Sequence, residues 1–135
     1  MRILTVDDDP MITRLLRDVL SSHGHDVVTA GNGEEAWDLI EHGSFDLLIT
    51  DWMMPKLDGP GLIQRVTAAA LPSYLYIIVL SVRNAGDDEA DLLEIGADDY
   101  ITKPATQREL LARVALAERF LQLLDGSNMP KRPAA

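Results

Sequence analysis

Short apolar runs alternate with amphipathic stretches along most of the chain. Five of these runs have the length and apolar content of strands that are buried on both faces. They lie at residues 3–6, 27–30, 47–50, 76–80 and 100–102. Since polar or turn-forming residues bound each run, the pattern predicts five separate strands.

Helical spacing of apolar residues fills the segments between these runs. From Met11 to Leu20 the apolar positions recur at the intervals of an amphipathic helix. Comparable patterns predict further helices at residues 34–41, 62–70, 90–95 and 107–124. We expect Asp9 and Pro10 to cap and begin the first helix rather than to carry chemistry.

Regular alternation of strands and helices predicts an α/β fold. Five strand–helix units in this length indicate a flavodoxin-like three-layer sandwich, with a five-stranded parallel sheet in the order 2-1-3-4-5 and five helices. Residues 1–124 are predicted to form one domain. The remaining segment, 125–135, contains glycine and prolines and is expected to be a linker or a disordered tail.

The net charge and composition limit the kinds of partner that the chain is expected to bind. The 135 residues carry a formal net charge of −10, and such a surface repels phosphate backbones and anionic lipids. We therefore expect no direct contact with nucleic acid or membrane, and no apolar run approaches the ~20 residues of a membrane span. The absence of cysteine excludes disulfides and thiol catalysis and favours the cytoplasm.

Polar residues follow several of the predicted strands. Asp7 and Asp8 follow the first strand, Asp51 the third, Ser81 the fourth and Lys103 the fifth. In open parallel sheets, ligands bind beyond the carboxyl ends of the strands, where the strand order reverses. The predicted order places the first and third strands side by side there. These five residues are therefore expected to share one cleft.

The combination of side chains in this cleft points to phosphoryl transfer. Three neighbouring carboxylates repel one another unless a cation lies between them, and Mg²⁺, with Mn²⁺ as an alternative, prefers such oxygen ligands. A carboxylate can also attack phosphorus. The ammonium group of a lysine neutralises charge on the phosphoryl oxygens, and a serine hydroxyl adds a hydrogen bond.

At these residues the chain resembles the receiver domains of response regulators in two-component signal transduction. The matching segments are Ile3 to Pro10, Asp46 to Pro55, Gly96 to Tyr100, and Lys103-Pro104. They occur in the order typical of the family. The resemblance covers roughly residues 2–124.

The resemblance implies a role for each acidic residue of the cleft. Asp51 corresponds to the phosphoacceptor, which would become an aspartyl phosphate. Asp8 would bind Mg²⁺ directly, together with Asp51 and the backbone carbonyl of Met53. Asp7 would assist, either through water or as a further ligand.

The resemblance also implies roles for the residues at the ends of the fourth and fifth strands. Lys103 and Ser81 would contact the phosphoryl group. Ser81 and Tyr100 would form a switch pair, in which the hydroxyl moves to the phosphate and the ring turns inward. The bond between Lys103 and Pro104 is expected to be cis. Val82 stands where the family usually has a small residue, so its branched side chain is expected to slow phosphodonors.

The function implied is that of a phosphoacceptor switch. A sensor histidine kinase or phosphotransfer protein would supply the phosphoryl group, and an output domain or protein partner would respond. No turnover of an external substrate is expected. The alternative is a Mg²⁺-dependent phosphatase of the haloacid dehalogenase type, since Asp7 and Asp9 fit its nucleophile spacing, but Pro10 follows them and Asp51 would have no role.

The sequence does not decide what packs against the end of the last predicted helix. Its apolar residues form a short heptad-like seam, and the end from Phe120 to Leu124 is expected to run past the sheet. Either a homodimer through this helix or packing on an output domain would cover that end. An ordinary amphipathic helix with a frayed end fits nearly as well.

Overall fold

A computed structural model describes residues 1–82 and 93–125. Its elements are β1 (Arg2–Val6), α1 (Pro10–Ser22), β2 (Asp26–Ala30), α2 (Gly33–His42), β3 (Leu47–Asp51), α3 (Gly59–Ala68), β4 (Tyr76–Val82), β5 (Asp99–Lys103) and α4 (Gln107–Asp125). The five strands are parallel and form one sheet in the order β2-β1-β3-β4-β5. The predicted fold class and strand order are confirmed.

The number of helices differs from the prediction. Four helices lie in the described ranges, whereas the sequence predicted five. The fifth was predicted at residues 90–95, and half of that segment, residues 90–92, lies outside the described residues. The predicted tail, 125–135, also lies outside the described residues except for Asp125, which is the last residue of α4. The domain boundary at residue 124 stays a prediction.

Two apolar layers cover the sheet because successive strand residues point to opposite faces. One layer packs α2 and α3 against the sheet through residues that include Ala36, Ile40, Leu62 and Ile63. The other packs α1 and α4 against the opposite face through residues that include Leu16, Leu20, Leu110 and Val114. The structure is therefore a three-layer sandwich, as predicted.

Among the element boundaries that differ from the sequence pattern, two have a clear cause. Helix α3 begins three residues earlier than predicted, because the Asp58 carboxylate accepts a hydrogen bond from the Gly61 N–H at 2.9 Å and caps the helix there. Strand β4 runs two residues further than predicted, since its pairing with β5 continues to Val82 and Lys103. Ser81 therefore lies inside a strand rather than after it.

The end of the C-terminal helix α4 is packed more firmly than the sequence indicated. The ring of Phe120 lies 5.4 Å from that of Tyr74 and 5.5 Å from that of Tyr76, and Leu121 also packs against the core. The expectation that the helix leaves the sheet at Phe120 is wrong, because Tyr76 of β4 and Tyr74, two residues before that strand, supply an aromatic surface there. Leu123 is 66% exposed. In the described ranges, no helix combines the length and apolarity needed to cross a bilayer.

Candidate functional site

Three carboxylates meet at the carboxyl ends of the two central strands. Val6 of β1 pairs with Thr50 of β3, so the residues that come next, Asp7 and Asp51, lie level with each other. Ligand oxygens of Asp7, Asp8 and Asp51 all lie within 4.8 Å of one another. Asp7 and Asp51 are buried, with 2% and 8% of their surface exposed, whereas Asp8 faces solvent. The predicted acidic cleft is formed.

Lys103 supplies the positive charge of this cleft. Its Nζ lies 3.1 Å from Asp7 Oδ2 and 3.1 Å from Asp51 Oδ1. The lysine is the last residue of β5, two strands away from β3. The structure thus gathers the four charged residues that the sequence analysis assigned to one site.

Backbone N–H groups hold the two buried carboxylates in place. The Asp9 N–H donates to Asp7 Oδ1 at 2.9 Å, and the Trp52 N–H donates to Asp51 Oδ1 at 2.9 Å. Asp9 itself caps α1 by accepting from the Met11 N–H at 3.0 Å, as predicted. The carboxylates are therefore oriented by the chain that directly follows each strand.

Gly59 lets the loop after β3 fold back onto the site. Its N–H donates to the Trp52 carbonyl oxygen at 2.9 Å. A Cβ at this position would lie 2.6 Å from the Asp51 carbonyl oxygen, closer than real contacts allow. No role for Gly59 was predicted from the sequence, although its position directly after Asp58, a residue type that often caps helices, could have pointed to one.

The ionisation of the buried groups reflects their crowding. Burial raises the pKa of Asp7 above 3.8, and the negative charge of Asp51 adds to the effect, while the hydrogen bond from Asp9 and the charge of Lys103 act against it. Burial alone would lower the pKa of Lys103. Its contacts with Asp51 and Asp7 outweigh that effect and raise its pKa above 10.5. Lys103 is therefore protonated at neutral pH.

The charge balance of the cleft fits a divalent cation. Three carboxylates face one ammonium group, so two negative charges remain uncompensated when all the acids are ionised. All donors offered by the acids are carboxylate oxygens, the ligands that Mg²⁺ prefers. The residues present therefore suit a Mg²⁺ site next to the lysine.

The model of one protein family matches most of the chain. It describes the response regulator receiver domain and covers residues 3–115. The chain belongs to this family. Curated relatives of this receiver include the probable transcriptional regulator ycf27 of Porphyridium aerugineum, 38% identical over 96% of this chain and 53% of that protein. Transcriptional regulatory protein CpxR of Escherichia coli (strain K12) is 42% identical over 84% of this chain and 47% of that protein. The receiver thus spans about half the length of these relatives.

Solved structures agree with this assignment. The receiver domain of the Francisella response regulator 1452 is 32% identical, with a TM-score of 0.81 over 88% of this chain and 97% of that chain. A probable two-component system response regulator/GGDEF domain protein is 28% identical, with a TM-score of 0.83 over 90% of this chain and 50% of that chain. Both have the fold described above.

Two further residues of the receiver share the other face of the sheet. Val79 pairs with Tyr100 and Ser81 with Thr102, so the Ser81 and Tyr100 side chains point to the same face of adjacent strands. Ser81 is 6% exposed, and Tyr100 is half-buried against the core cluster beneath α2 and α3. The structure thus brings the two residues of the predicted switch pair onto one face.

The remaining predicted site residues lie at the rim of the cleft. Met53 follows Asp51 by two residues, and its side chain is 66% exposed. The peptide bond between Lys103 and Pro104 is cis, the isomer that the resemblance implied. Val82, the register partner of Lys103, is 54% exposed.

Proposed function

We propose that this receiver is a phosphoacceptor switch that takes a phosphoryl group onto Asp51. The observation that carries the proposal is the ion pair between Lys103 and Asp51, at 3.1 Å, inside a cluster of three carboxylates. An isolated buried acid would be costly. An acid paired with an ammonium group and held beside a divalent-cation site has the surroundings that phosphoryl transfer requires.

The chain's own residues would hold the metal ion. Asp7, Asp8 and Asp51 offer carboxylate oxygens, and the Met53 carbonyl is the backbone ligand in this proposal. When bound, Mg²⁺ or Mn²⁺ would neutralise charge on the phosphoryl oxygens. Because Asp7 is buried and already paired with Lys103, the exposed Asp8 is the residue best placed to admit a hydrated ion.

The transfer itself needs a nucleophile and a counter-charge. The Trp52 N–H and Lys103 hold Oδ1 of Asp51, and its second oxygen attacks phosphorus. The bond between phosphorus and the donor breaks, and the donor leaves with the electron pair. Lys103 then moves its ammonium charge from Asp51 to the new phosphoryl group, which Ser81 also contacts through its hydroxyl.

Loss of the Lys103–Asp51 contact is the signal that we propose reaches the surface. Ser81 would turn toward the phosphoryl group, and the space it leaves would admit the ring of Tyr100. Both side chains lie on one face of β4 and β5, so the change can pass between them without a shift of the sheet. The surface around β5 would then present a different contact to a partner.

The partners follow from the family and from the exposed surface. The donor in this proposal is a sensor histidine kinase or a phosphotransfer protein, whose phosphohistidine would approach beside α1. There Met11 and Leu15 are 77% and 60% exposed, which suits contact with an apolar protein surface. We place the reaction in the cytoplasm, in keeping with a chain that lacks cysteine.

The receiver would act on an output domain or a separate protein. Relatives of about twice the chain's length are named as transcriptional regulators. The acidic receiver would not itself contact nucleic acid or membrane. A homodimer through α4 is one form that the output could take. Size measurement with and without beryllofluoride and Mg²⁺ tests it, and an unchanged monomer would contradict it.

Labelling with a small phosphodonor tests the central proposal. Incubation with acetyl phosphate and Mg²⁺ should add one phosphoryl group, located at Asp51 by mass analysis of peptides. Asp51→Asn should abolish the adduct, a chelator should prevent it, and Asp18→Asn, an exposed acid on α1, should leave it unchanged. An adduct that survives in Asp51→Asn would overturn the assignment.

The same protein preparation distinguishes the receiver from the phosphatase alternative. The comparisons above give that alternative no support. A haloacid dehalogenase-type phosphatase would hydrolyse p-nitrophenyl phosphate over many turnovers, and Asp7→Asn would stop it. The receiver should form at most one adduct per chain, with no sustained release of nitrophenol.

A further inference from the structure

An apolar cavity opens next to the proposed phosphorylation site. It has a volume of about 480 Å³ and lies between α1 and the segment that joins β5 to α4. Ile12, Leu15 and Leu16 of α1 line one side, and Leu110 of α4 lines another. Among the described residues of its lining, Lys103 is the one that carries a charge.

The floor of the cavity adjoins the phosphoacceptor. Leu80 lines the cavity and pairs in register with Asp51, and Val82 lines it and pairs with Lys103. Register partners on neighbouring strands point to the same face and lie about 4.8 Å apart. Lys103 is therefore shared by the cavity and the acidic cleft: it lines the cavity, and its Nζ contacts Asp51.

We propose that this cavity is a subsite for the apolar leaving group of a small phosphodonor, such as the aryl body of an acyl phosphate. The inference rests on the proposed role of Asp51. As the Asp51 carboxylate attacks phosphorus, the bond from phosphorus to the acyl oxygen breaks, and a carboxylate leaves with the electron pair. No proton is transferred.

The chemistry of the lining matches such a leaving group. The ring of a departing benzoate would pack on Leu80 and Leu15, while its new negative charge would face Lys103, the cation of the lining. Pockets that take small molecules typically measure about 300–1,000 Å³, so the cavity has room for a ring. An acetyl group has a single methyl and would leave most of this apolar surface exposed to water.

The expected preference follows from the extra area that a ring buries. A phenyl ring buries on the order of 60 Å² more than a methyl group, and at about 25 cal/mol per Å² this corresponds to roughly tenfold. A hydrophobic pocket that gains a few carbon atoms typically discriminates on this scale. The cavity should therefore favour benzoyl phosphate over acetyl phosphate as a donor to Asp51.

Rates of Asp51 labelling test this preference. Each donor's rate constant is divided by that donor's own rate of hydrolysis without protein, which removes the difference in intrinsic reactivity. The ratio should favour benzoyl phosphate by about tenfold. Ala105→Phe, which fills the cavity from its lining, should bring the ratio of the two donors close to one, and a general loss of reactivity cancels because both donors are compared in the same variant. Ala115→Phe, at an exposed position of α4 outside the lining, should keep it.

A binding measurement without metal or reaction gives an independent test. Benzoate should shift the methyl NMR signals of Ile12, Leu15 and Leu16 in a saturable way, whereas acetate should not. The methyl signals of Leu116 and Leu123, exposed on α4, should stay in place. Shifts that are equal for benzoate and acetate, or that survive in Ala105→Phe, would overturn the subsite.

The two proposals fail in different ways. If acetyl phosphate labels Asp51 but benzoyl phosphate has no advantage, the subsite is wrong and the phosphoacceptor proposal stands. If neither donor labels Asp51, both are wrong. Binding of benzoate at methyl groups outside the cavity would also contradict the subsite.

Discussion

Lys103 reaches Asp51 across an intervening strand: its Nζ lies 3.1 Å from Asp51 Oδ1, although β4 lies between β3 and β5. Two strand spacings amount to about 10 Å. The lysine stem must therefore extend over the end of β4, where Leu80 and Val82 occupy the same face. A single side chain thus joins the acceptor, the second buried acid and the neighbouring apolar cavity.

Removing this ammonium group should destabilise the metal-free protein. Lys103→Met keeps much of the apolar stem but leaves Asp7 and Asp51 without their cation. We expect the free energy of unfolding at neutral pH to fall by about 2 kcal/mol, since the stranded carboxylates are buried. Urea denaturation measures this loss. It should shrink when Mg²⁺ is added, and Arg119→Met, on the exposed face of α4, should show little change.

Neutralising Asp7 should have the opposite effect. Because the pKa of Asp7 is raised in the fold, ionised Asp7 costs stability above its folded pKa, and the cost fades as the pH falls through that value and below the unfolded value near 3.8. Asp7→Asn should therefore stabilise the metal-free protein at neutral pH and lose its advantage in acid. Urea midpoints across this pH range test the sign.

Bound Mg²⁺ should reverse the order of stability of the natural chain and Asp7→Asn. The natural chain gains stability from a bound ion according to its affinity, and Asp7→Asn should gain less. The exposed Asp18→Asn serves as the control for a simple change of net charge. If Asp7→Asn is less stable than the natural chain at neutral pH without metal, the proposed crowding of the carboxylates around Asp7 is wrong.

Two buried threonines should respond differently to the same substitution. Thr5 and Thr50 are both fully buried in the central strands. Thr50 Oγ1 donates to the Asp51 carbonyl oxygen at 3.0 Å, whereas Thr5 Oγ1 has no hydrogen-bond partner among the described residues. Thr50→Val should therefore cost about 1 kcal/mol, and Thr5→Val should cost nothing or stabilise by up to about 1 kcal/mol. Equal losses in urea denaturation would show that Thr5 has a partner.

The sequence was sufficient to predict the sheet and the acidic cleft. Strand order and strand ends are set by local apolar runs and by the handedness of connections, so the meeting of Asp7 and Asp51 could be predicted before the structure. The exact ends of individual elements could not be predicted, because they depend on a capping side chain or on pairing with another strand. The start of α3 depends on the Asp58 carboxylate, and the length of β4 depends on its pairing with β5.

Contacts between distant elements were also beyond the sequence pattern. The apolar end of α4 looked unpartnered because nothing local shows that Tyr74 and Tyr76 lie beneath Phe120. The same is true of the cavity beside Lys103, which α1 and α4 enclose together. Periodicity shows which face of a helix is apolar, but not how much of that face another element covers.

The packing of Phe120 predicts that truncating side chains along α4 has very different effects on stability. Phe120→Ala removes two ring–ring contacts and leaves a gap beside β4, so it should cost about 3 kcal/mol. Leu123→Ala, three residues further along at an exposed position, should change stability by less than about 0.5 kcal/mol. Urea denaturation of both variants checks this. Similar small effects would mean that the end of the helix frays, which was one of the interpretations that the sequence left open.

Access to Asp51 should depend on Val82. This residue lies on the same face as Lys103, directly opposite it in register, and its branched side chain is 54% exposed at the rim of the cleft. Val82→Ala should therefore speed the labelling of Asp51 by acetyl phosphate several-fold, because a donor can then approach the carboxylate with less steric hindrance. Val82→Thr keeps the branched shape and should react at the rate of the natural chain. If Val82→Thr instead matches Val82→Ala, polarity rather than bulk controls the rate, and the steric account of Val82 is wrong.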